Sequence, residues 1–245
     1  MRLDKYLANS GVGTRKEVKE FLKKRKIKIN DKLVIDGSIN VKENEDIIKY
    51  EDNIIKFKPF IYIMLNKPNG VISATEDKKY KTVIDILDNN YRTYDIFPVG
   101  RLDIDTEGLL ILTNDGKLSH NLLSPNKHVN KKYYVELKTE ITLEMIQKLE
   151  NGIKLEENFV TKNAKIEVMK DEKNIEKDLK KVFITITEGK FHQVKRMFKA
   201  VNNEVLYLKR IQMGNLTLDD KLGLGEYREL TEIELEKLKN INMKG

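Results

Sequence analysis

The chain has 245 residues, 40% hydrophobic and 35% charged, enough for one large domain or for a small domain followed by a medium one. No run of about 18 uncharged apolar residues is present, which excludes a membrane-spanning helix, and Met1-Arg2-Leu3-Asp4-Lys5 lacks the apolar core of a secretion signal. The net charge is +7 and cysteine is absent, so disulfides and thiolate metal sites are impossible and the cytoplasm is the expected compartment.

Taken in chain order, residues 2–10 read as a short amphipathic helix with Leu3, Tyr6 and Leu7 on one face, broken by Gly11-Val12-Gly13. A second helix starts at Thr14, where Thr14-Arg-Lys-Glu17 has the spacing of a capping box and Val18, Phe21 and Leu22 form the apolar face. Arg15 and Lys16 fall in its first turn, where the helix dipole disfavours cations, so an anion is expected to meet them there. Residues 1–28 carry ten Lys/Arg against three Asp/Glu, which places net +7 in this opening segment. Ile27–Val34 reads as a hairpin turning at Asn30-Asp31, and 46–50 and 54–57 as short strands.

This block, residues 1–58, resembles the S4 RNA-binding domain, through Arg2-Leu-Asp-Lys-Tyr-Leu, Thr14-Arg-Lys-Glu-Val and Ile27-Lys-Ile-Asn-Asp-Lys-Leu-Val34. The resemblance implies that Arg2, Arg15, Lys16, Lys19, Lys23 and Lys24 dock RNA phosphates. A unit this small contributes affinity and position, with base selection made elsewhere.

Lys58-Pro59-Phe60 marks the expected boundary, with a second domain over 60–240. Strands are expected at 61–65, 109–113, 133–138 and 182–187, and helices at 83–87, 116–123, 142–149 and 191–201. Regular strand–helix alternation is missing, so the predicted class is α+β with a mixed, largely antiparallel sheet and flanking helices. Residues 169–181 form a charge-dense stretch without apolar period, expected as an exposed hairpin loop. Residues 189–212 hold six basic residues and one acidic residue, a second positive patch on a chain whose remainder is net acidic. Two separated basic patches point to a polyanion touched at two places.

The chemistry-bearing patterns are few. His120, His128 and His192 are scattered without metal-ligand spacing, and no phosphate-binding P-loop, dinucleotide fingerprint or Gly-x-Ser-x-Gly is present. What stands out is Gly100-Arg-Leu-Asp-Ile-Asp-Thr-Glu-Gly-Leu-Leu110, a carboxylate held between two turns just before an apolar strand. Alone, Asp103 would read as a turn or capping residue.

The whole string resembles the signature of the RsuA/RluA-type pseudouridine synthases, and three further stretches match in order. These are Leu65-Asn-Lys-Pro-Asn-Gly-Val71, Lys131-Lys-Tyr-Tyr-Val135 and Glu188-Gly-Lys-Phe-His-Gln-Val-Lys-Arg-Met-Phe198. The resemblance implies a pseudouridine synthase fold and a catalytic set of Asp103 (rather than Asp105), Tyr133 and Lys195. Lys195 would pair with Asp103. The adjacent Tyr134 competes for the tyrosine role, although only one of the two can face a pocket from a strand. Arg101, Lys67, His192, Gln193 and Arg196 are the implied substrate-binding residues.

The implied reaction breaks an N–C glycosidic bond, turns the uracil and rejoins it through carbon. Nothing is oxidised or consumed, so no cofactor and no metal are expected. The wording around His192-Gln-Val-Lys195 is closest to the RsuA branch, which modifies 16S ribosomal RNA. The expected partner is that RNA within a partly assembled small subunit, without membrane contact, and nothing demands more than a monomer. The alternatives are a sister enzyme acting on 23S RNA and a non-catalytic RNA-binding assembly factor that has kept the scaffold.

Overall fold

The computed structural model describes residues 1–43, 45–156, 159–170 and 177–240. The first 57 residues build their own small core. Helices α1 (Leu3–Asn9) and α2 (Arg15–Lys23) pack Leu3, Tyr6, Leu7, Val18 and Leu22 against Ile27, Val41 and Ile48. The strands β1 (Ile27–Ile29), β2 (Lys32–Val34), β3 (Ile48–Tyr50) and β4 (Asn53–Ile54) form an antiparallel sheet in the order β2-β1-β3-β4. The capping box is present: the Thr14 hydroxyl accepts from Glu17 N, and Glu17 accepts from Thr14 N at 2.7 Å. The hairpin turns at Asn30 and Asp31, both at positive φ, a conformation that Asn and Asp tolerate better than most side chains. The last strand of this unit is shorter than expected, ending at Ile54.

The remaining elements run β5 (Tyr62–Lys67), a 3-10 turn (Asn89–Tyr94), β6 (Phe97–Pro98), β7 (Glu107–Thr113), α3 (Gly116–Leu123), β8 (Lys131–Leu137) and α4 (Leu143–Glu150). They continue with β9 (Lys154–Glu156), β10 (Phe159–Val160), β11 (Lys165–Lys170), β12 (Lys177–Ile186), α5 (Gln193–Ala200), β13 (Val205–Met213), β14 (Leu216–Thr217), β15 (Tyr227–Glu229) and α6 (Glu232–Lys239). The large sheet has the order β11-β12-β8-β13-β7-β5-β15, with β14 beside β13 and β6 beside β7. Its pairs are antiparallel except β13–β7, which is parallel.

Both faces of the sheet centre are covered, as the unbroken apolar text of β7 requires. Alternate residues divide between two cores. Leu110, Leu112, Tyr133, Val135 and Ile184 face α5, which contributes Val194, Met197 and Phe198. Met64, Leu109, Ile111 and Met213 face α3 and α6, through Leu118, Leu122 and Leu238. A fully buried aromatic such as Phe198, at 0% exposure, contributes about 1.5–3 kcal/mol and fixes the base of α5 on the sheet.

Three expectations change. Residues 83–87 are a turn, not a helix: Asp85 accepts from the Thr82 hydroxyl and from Thr82 N, both at 2.9 Å, but the backbone bonds that follow, Asp85 N to Thr82 O and Leu87 N to Ile84 O, span three residues and not the four of an α-helix. Residues 169–170 and 177–181 are strand rather than loop, while 171–176 lie outside the described residues. The strand β13, absent from the sequence reading, is central. The link between the two units is pinned. Asn114 Oδ1 accepts from Ile61 N at 2.8 Å, Asn114 Nδ2 donates to Pro59 O at 3.0 Å, and Lys58 pairs with Glu229 at 2.7 Å.

Candidate active site

The loop between β6 and β7 carries Asp103, and residues 67–73 bracket it. Ser73 Oγ accepts from Leu102 N and donates to Leu102 O, both at 3.0 Å. Gly70 N donates to Ile104 O at 2.9 Å. Lys67 has no exposed surface and donates to the carbonyls of Pro68 at 2.9 Å, Ile104 at 3.2 Å and Thr106 at 2.9 Å. Within the loop, Thr106 N donates to Asp103 O at 3.1 Å. Asp103 is thereby held on a scaffold of backbone hydrogen bonds rather than on a free turn. Burial lowers the Lys67 ammonium to about 8, because removing a charge from water favours its neutral form; the nearby Asp105, Glu107 and Asp103 charges oppose the fall. Lys67 therefore sits beneath the loop and props it, instead of meeting substrate as expected.

Asp103 and Tyr133 line one cavity, together with Arg101, Thr106, His192 and Gln193 among others. Strand alternation turns only one of the two adjacent tyrosines toward the cavity. Tyr133 is 7% exposed on the cavity side. Tyr134 belongs to the opposite face, where its hydroxyl donates to Glu136 at 2.6 Å and its ring meets Phe183 and Tyr207.

Helix α5 supplies the cations. Lys195 Nζ lies 3.5 Å from Asp103 Oδ2 and 2.5 Å from Asp105 Oδ1, so the lysine expected to serve Asp103 alone is shared, with the shorter bond to Asp105. Partial burial works to raise Asp105, but the Lys195 hydrogen bond and charge outweigh it and hold the carboxyl below its ordinary range. His192 Nε2 lies 3.6 Å from Asp103 Oδ1. His192 occupies the left-handed region at φ 48, directly before α5, a conformation that side chains with a Cβ adopt at a cost. Phe191, 67% exposed, stacks on the His192 ring at 3.8 Å, leaving an uncovered aromatic beside the cavity. Sequence reasoning passed over Phe191, Thr106 and Ser73; none carries a signal that separates it from an ordinary loop residue.

Two other expected substrate-binding residues are engaged internally. Gln193 is 3% exposed; it accepts from Lys190 N at 2.9 Å and donates to Glu188 at 2.6 Å, shaping the loop before α5 while still lining the cavity. Arg196 pairs with Glu156 at 2.5 Å and donates to Phe191 O at 3.3 Å, which ties it to the frame of that loop. Arg101 is exposed at the cavity edge. The second basic patch also divides, because Arg210 is 2% exposed and donates to Leu109 O at 2.8 Å, so its charge is turned inward.

On the small unit, Arg15, Lys16, Lys19, Lys23 and Lys24 are all exposed on or just beyond α2. Arg2 is exposed but engages Asp4 through two hydrogen bonds, at 2.7 and 3.1 Å, and Lys23 pairs with Glu20 at 3.0 Å. Among the described residues no group of three His, Asp or Glu is placed to hold a metal, and no helix is long and apolar enough to cross a membrane.

The cavity of the mixed sheet thus joins an aspartate and a tyrosine, with a lysine 3.5 Å from the carboxylate, and a basic helix pair precedes it in the chain. The RNA pseudouridylate synthase model matches residues 61–200, and the S4 domain model matches residues 1–47. The chain belongs to the RNA pseudouridine synthase family, in its RsuA-type branch with an N-terminal S4 domain. It is therefore an isomerase that converts uridine in RNA.

An uncharacterized RNA pseudouridine synthase of Bacillus subtilis, YtzG, is 50% identical over 97% of this chain and 98% of its own. The ribosomal small subunit pseudouridine synthase A of Haemophilus influenzae is 38% identical, over 97% and 99%. The ribosomal large subunit pseudouridine synthase B of B. subtilis is also 38% identical, over 97% and 95%. A crystal structure of a pseudouridylate synthase superposes with a TM-score of 0.67 at 38% identity, covering 97% of this chain and 99% of that one.

Proposed function

We propose that this chain isomerises a specific uridine of 16S ribosomal RNA, with Asp103 as the essential carboxylate. The observation that carries this reading is the meeting of Asp103 and Tyr133 in one cavity, with Lys195 at 3.5 Å from the carboxylate, although the three are remote in sequence. The small-subunit substrate is supported by the His192-Gln-Val-Lys195 wording and by the name of the H. influenzae relative. The equal identity of the large-subunit relative keeps 23S RNA as the second reading.

In this reading the S4-like unit, residues 1–58, docks on RNA through Arg2, Arg15, Lys16, Lys19, Lys23 and Lys24, and the unit spanning 60–240 performs the chemistry. A paired uridine is out of reach inside a helix, so it is extruded, at a cost of a few kcal/mol. Arg101, exposed at the cavity edge, fills the vacated space or grips the neighbouring phosphate. Tyr133 stacks on the uracil, contributing about 1–3 kcal/mol. Asp103 acts at the ribose or the ring while the glycosidic bond breaks, and Lys195 keeps its carboxylate aimed. The C5–C1′ bond replaces the broken N1–C1′ bond, C5 loses its proton to solvent and N1 takes one up, so atoms balance without a cofactor. The protein works as a monomer in the cytoplasm, on RNA within a partly assembled small subunit.

The test has two arms. Tritium release from uridine-labelled 16S and 23S RNA should be abolished by Asp103→Asn while RNA binding survives; retained turnover would remove Asp103 from its role. Mass spectrometry of both RNAs from a strain lacking the gene should reveal the missing pseudouridine in 16S. Its loss from 23S instead would establish the second reading.

A further inference from the structure

The cavity contains a buried hydroxyl to which neither the fold nor the chemistry above gives a task. Thr106 is 1% exposed, lines the cavity with Asp103 and Tyr133, and its hydroxyl has no hydrogen-bond partner among the described residues. Its backbone is held from both directions. The amide donates to Asp103 O at 3.1 Å and the carbonyl accepts from the buried Lys67 ammonium at 2.9 Å. These two bonds fix the Thr106 backbone within the Asp103 loop.

A buried hydroxyl left unpaired is costly, and the cost is avoidable: valine has the same branched shape and no polar atom. A hydroxyl that the fold itself does not bond, on the wall of a carboxylate cavity, is free to bond whatever enters that cavity. Under the reading above, what enters is a uracil. Its edge carries two carbonyl acceptors, O2 and O4, on either side of an imide N–H. Turning the ring about the N3–C6 axis brings C5 to the place of N1, as the isomerisation demands. The same half-turn exchanges O2 with O4. A single donor at the cavity wall therefore faces a carbonyl oxygen both before the glycosidic bond breaks and after the carbon–carbon bond forms. A hydroxyl suits this position because it can donate to either carbonyl and does not titrate.

We propose that the Thr106 hydroxyl hydrogen-bonds a uracil carbonyl of the extruded uridine and holds the detached ring in register through its half-turn. This rests on the pseudouridine synthase reading of the cavity and adds a binding residue to it. No bond to Thr106 is made or broken.

The experiment compares the wild type with Thr106→Val and Thr106→Ser, using tritium release from labelled 16S and 23S RNA together with thermal melts. Valine should lower kcat/KM about tenfold, the size of one lost hydrogen bond with some misplacement of the ring, while leaving the melting midpoint unchanged or higher by about 2–4 °C. Serine should restore most of the turnover. Opposite signs for activity and stability are the signature of a group kept for a ligand. A valine variant that turns over like the wild type would overturn the proposal, and so would one that is both slower and less stable, since the hydroxyl would then serve the fold. If the wild type is silent on both RNAs, the substrate reading fails separately. The shift in melting midpoint produced by uridine 5′-monophosphate then decides Thr106: a smaller shift in the valine variant supports its role, and an equal shift removes it.

Discussion

Lys195 approaches Asp105 more closely than Asp103, at 2.5 Å against 3.5 Å, so one ammonium on α5 serves two carboxylates of the same loop. The two acids compete for it. In Asp105→Asn the lysine is left to Asp103 alone, so turnover should fall by less than about tenfold or rise. Lys195→Met should cost about 10²–10³ in kcat, the range seen when a preorganised charge partner is removed, and Lys195→Arg should recover part of the loss. Steady-state tritium release on the three variants measures this. A greater loss in Asp105→Asn than in Lys195→Met would mean that Asp105 carries the chemistry.

Lys67 holds three carbonyls beneath that loop with an ammonium that burial lowers to about 8. The unfolded chain carries this lysine at its ordinary value of 10.5, so between about 8 and 10.5 the unfolded state binds the extra proton and this group's contribution to stability rises with pH. Below about 8 its burial penalty is present in full. The difference in melting midpoint between the wild type and Lys67→Met should therefore move in favour of the wild type from about pH 7.5 to 9.5. At either pH the variant should lose about tenfold or more in kcat, because the Asp103 loop is no longer held in place. A midpoint difference that is flat with pH would show that Lys67 does not titrate in this window.

Charge reversal of Arg15 and Lys16 to glutamate separates docking from folding. Acidic residues in the first turn of α2 favour the helix dipole, so the small unit should remain folded, with the Thr14–Glu17 cap intact. RNA affinity should fall and the logarithmic salt dependence should flatten by about 1.4–1.8, the share of two lost phosphate contacts. KM should rise more than kcat falls. Binding titrations at several salt concentrations read the slope, and an unchanged slope would remove α2 from the interface.

Gly108 has φ 99, and a Cβ there would stand 2.2 Å from the carbonyl oxygen of Arg210. Gly108→Ala should separate β7 from β13 and cost about 3 kcal/mol or more, from close backbone approach and a disfavoured φ together. Urea unfolding measures it directly. A loss below about 1 kcal/mol would show that the two strands can part without harm.

Much of the fold was legible because most of its elements carry clean patterns. The apolar runs of β5 and β7, the alternation of β8 and the Thr14 capping box all lie where the text placed them. The failures have physical reasons. In β13, Lys209, Arg210 and Gln212 interrupt the apolar pattern, and Arg210 is buried by bonding to a backbone carbonyl rather than by being apolar. That strand therefore read as part of a charged surface patch. In the site, proximity of Asp103 and Lys195 followed from the resemblance, but the sharing with Asp105 depends on where one flexible side chain ends. Lys67 was misjudged for a similar reason: a lysine before a proline gives no sign that three carbonyls will close over it.

The single parallel pairing in the sheet also sets an order of events. Strand β13 lies between β8 and β7, so it divides the part of the sheet that carries Tyr133 from the part that leads into the Asp103 loop. These two halves are joined by a strand that leaves the ribosome just over a hundred residues after Asp103. A nascent chain stopped before Val205 has both halves of its catalytic pocket and nothing to hold them at working distance. Closing such remote pairings is slow, and until it happens the edges of β7 and β8 are open to other strands. The pocket is thus brought to working geometry only when this strand is threaded into the gap between β8 and β7.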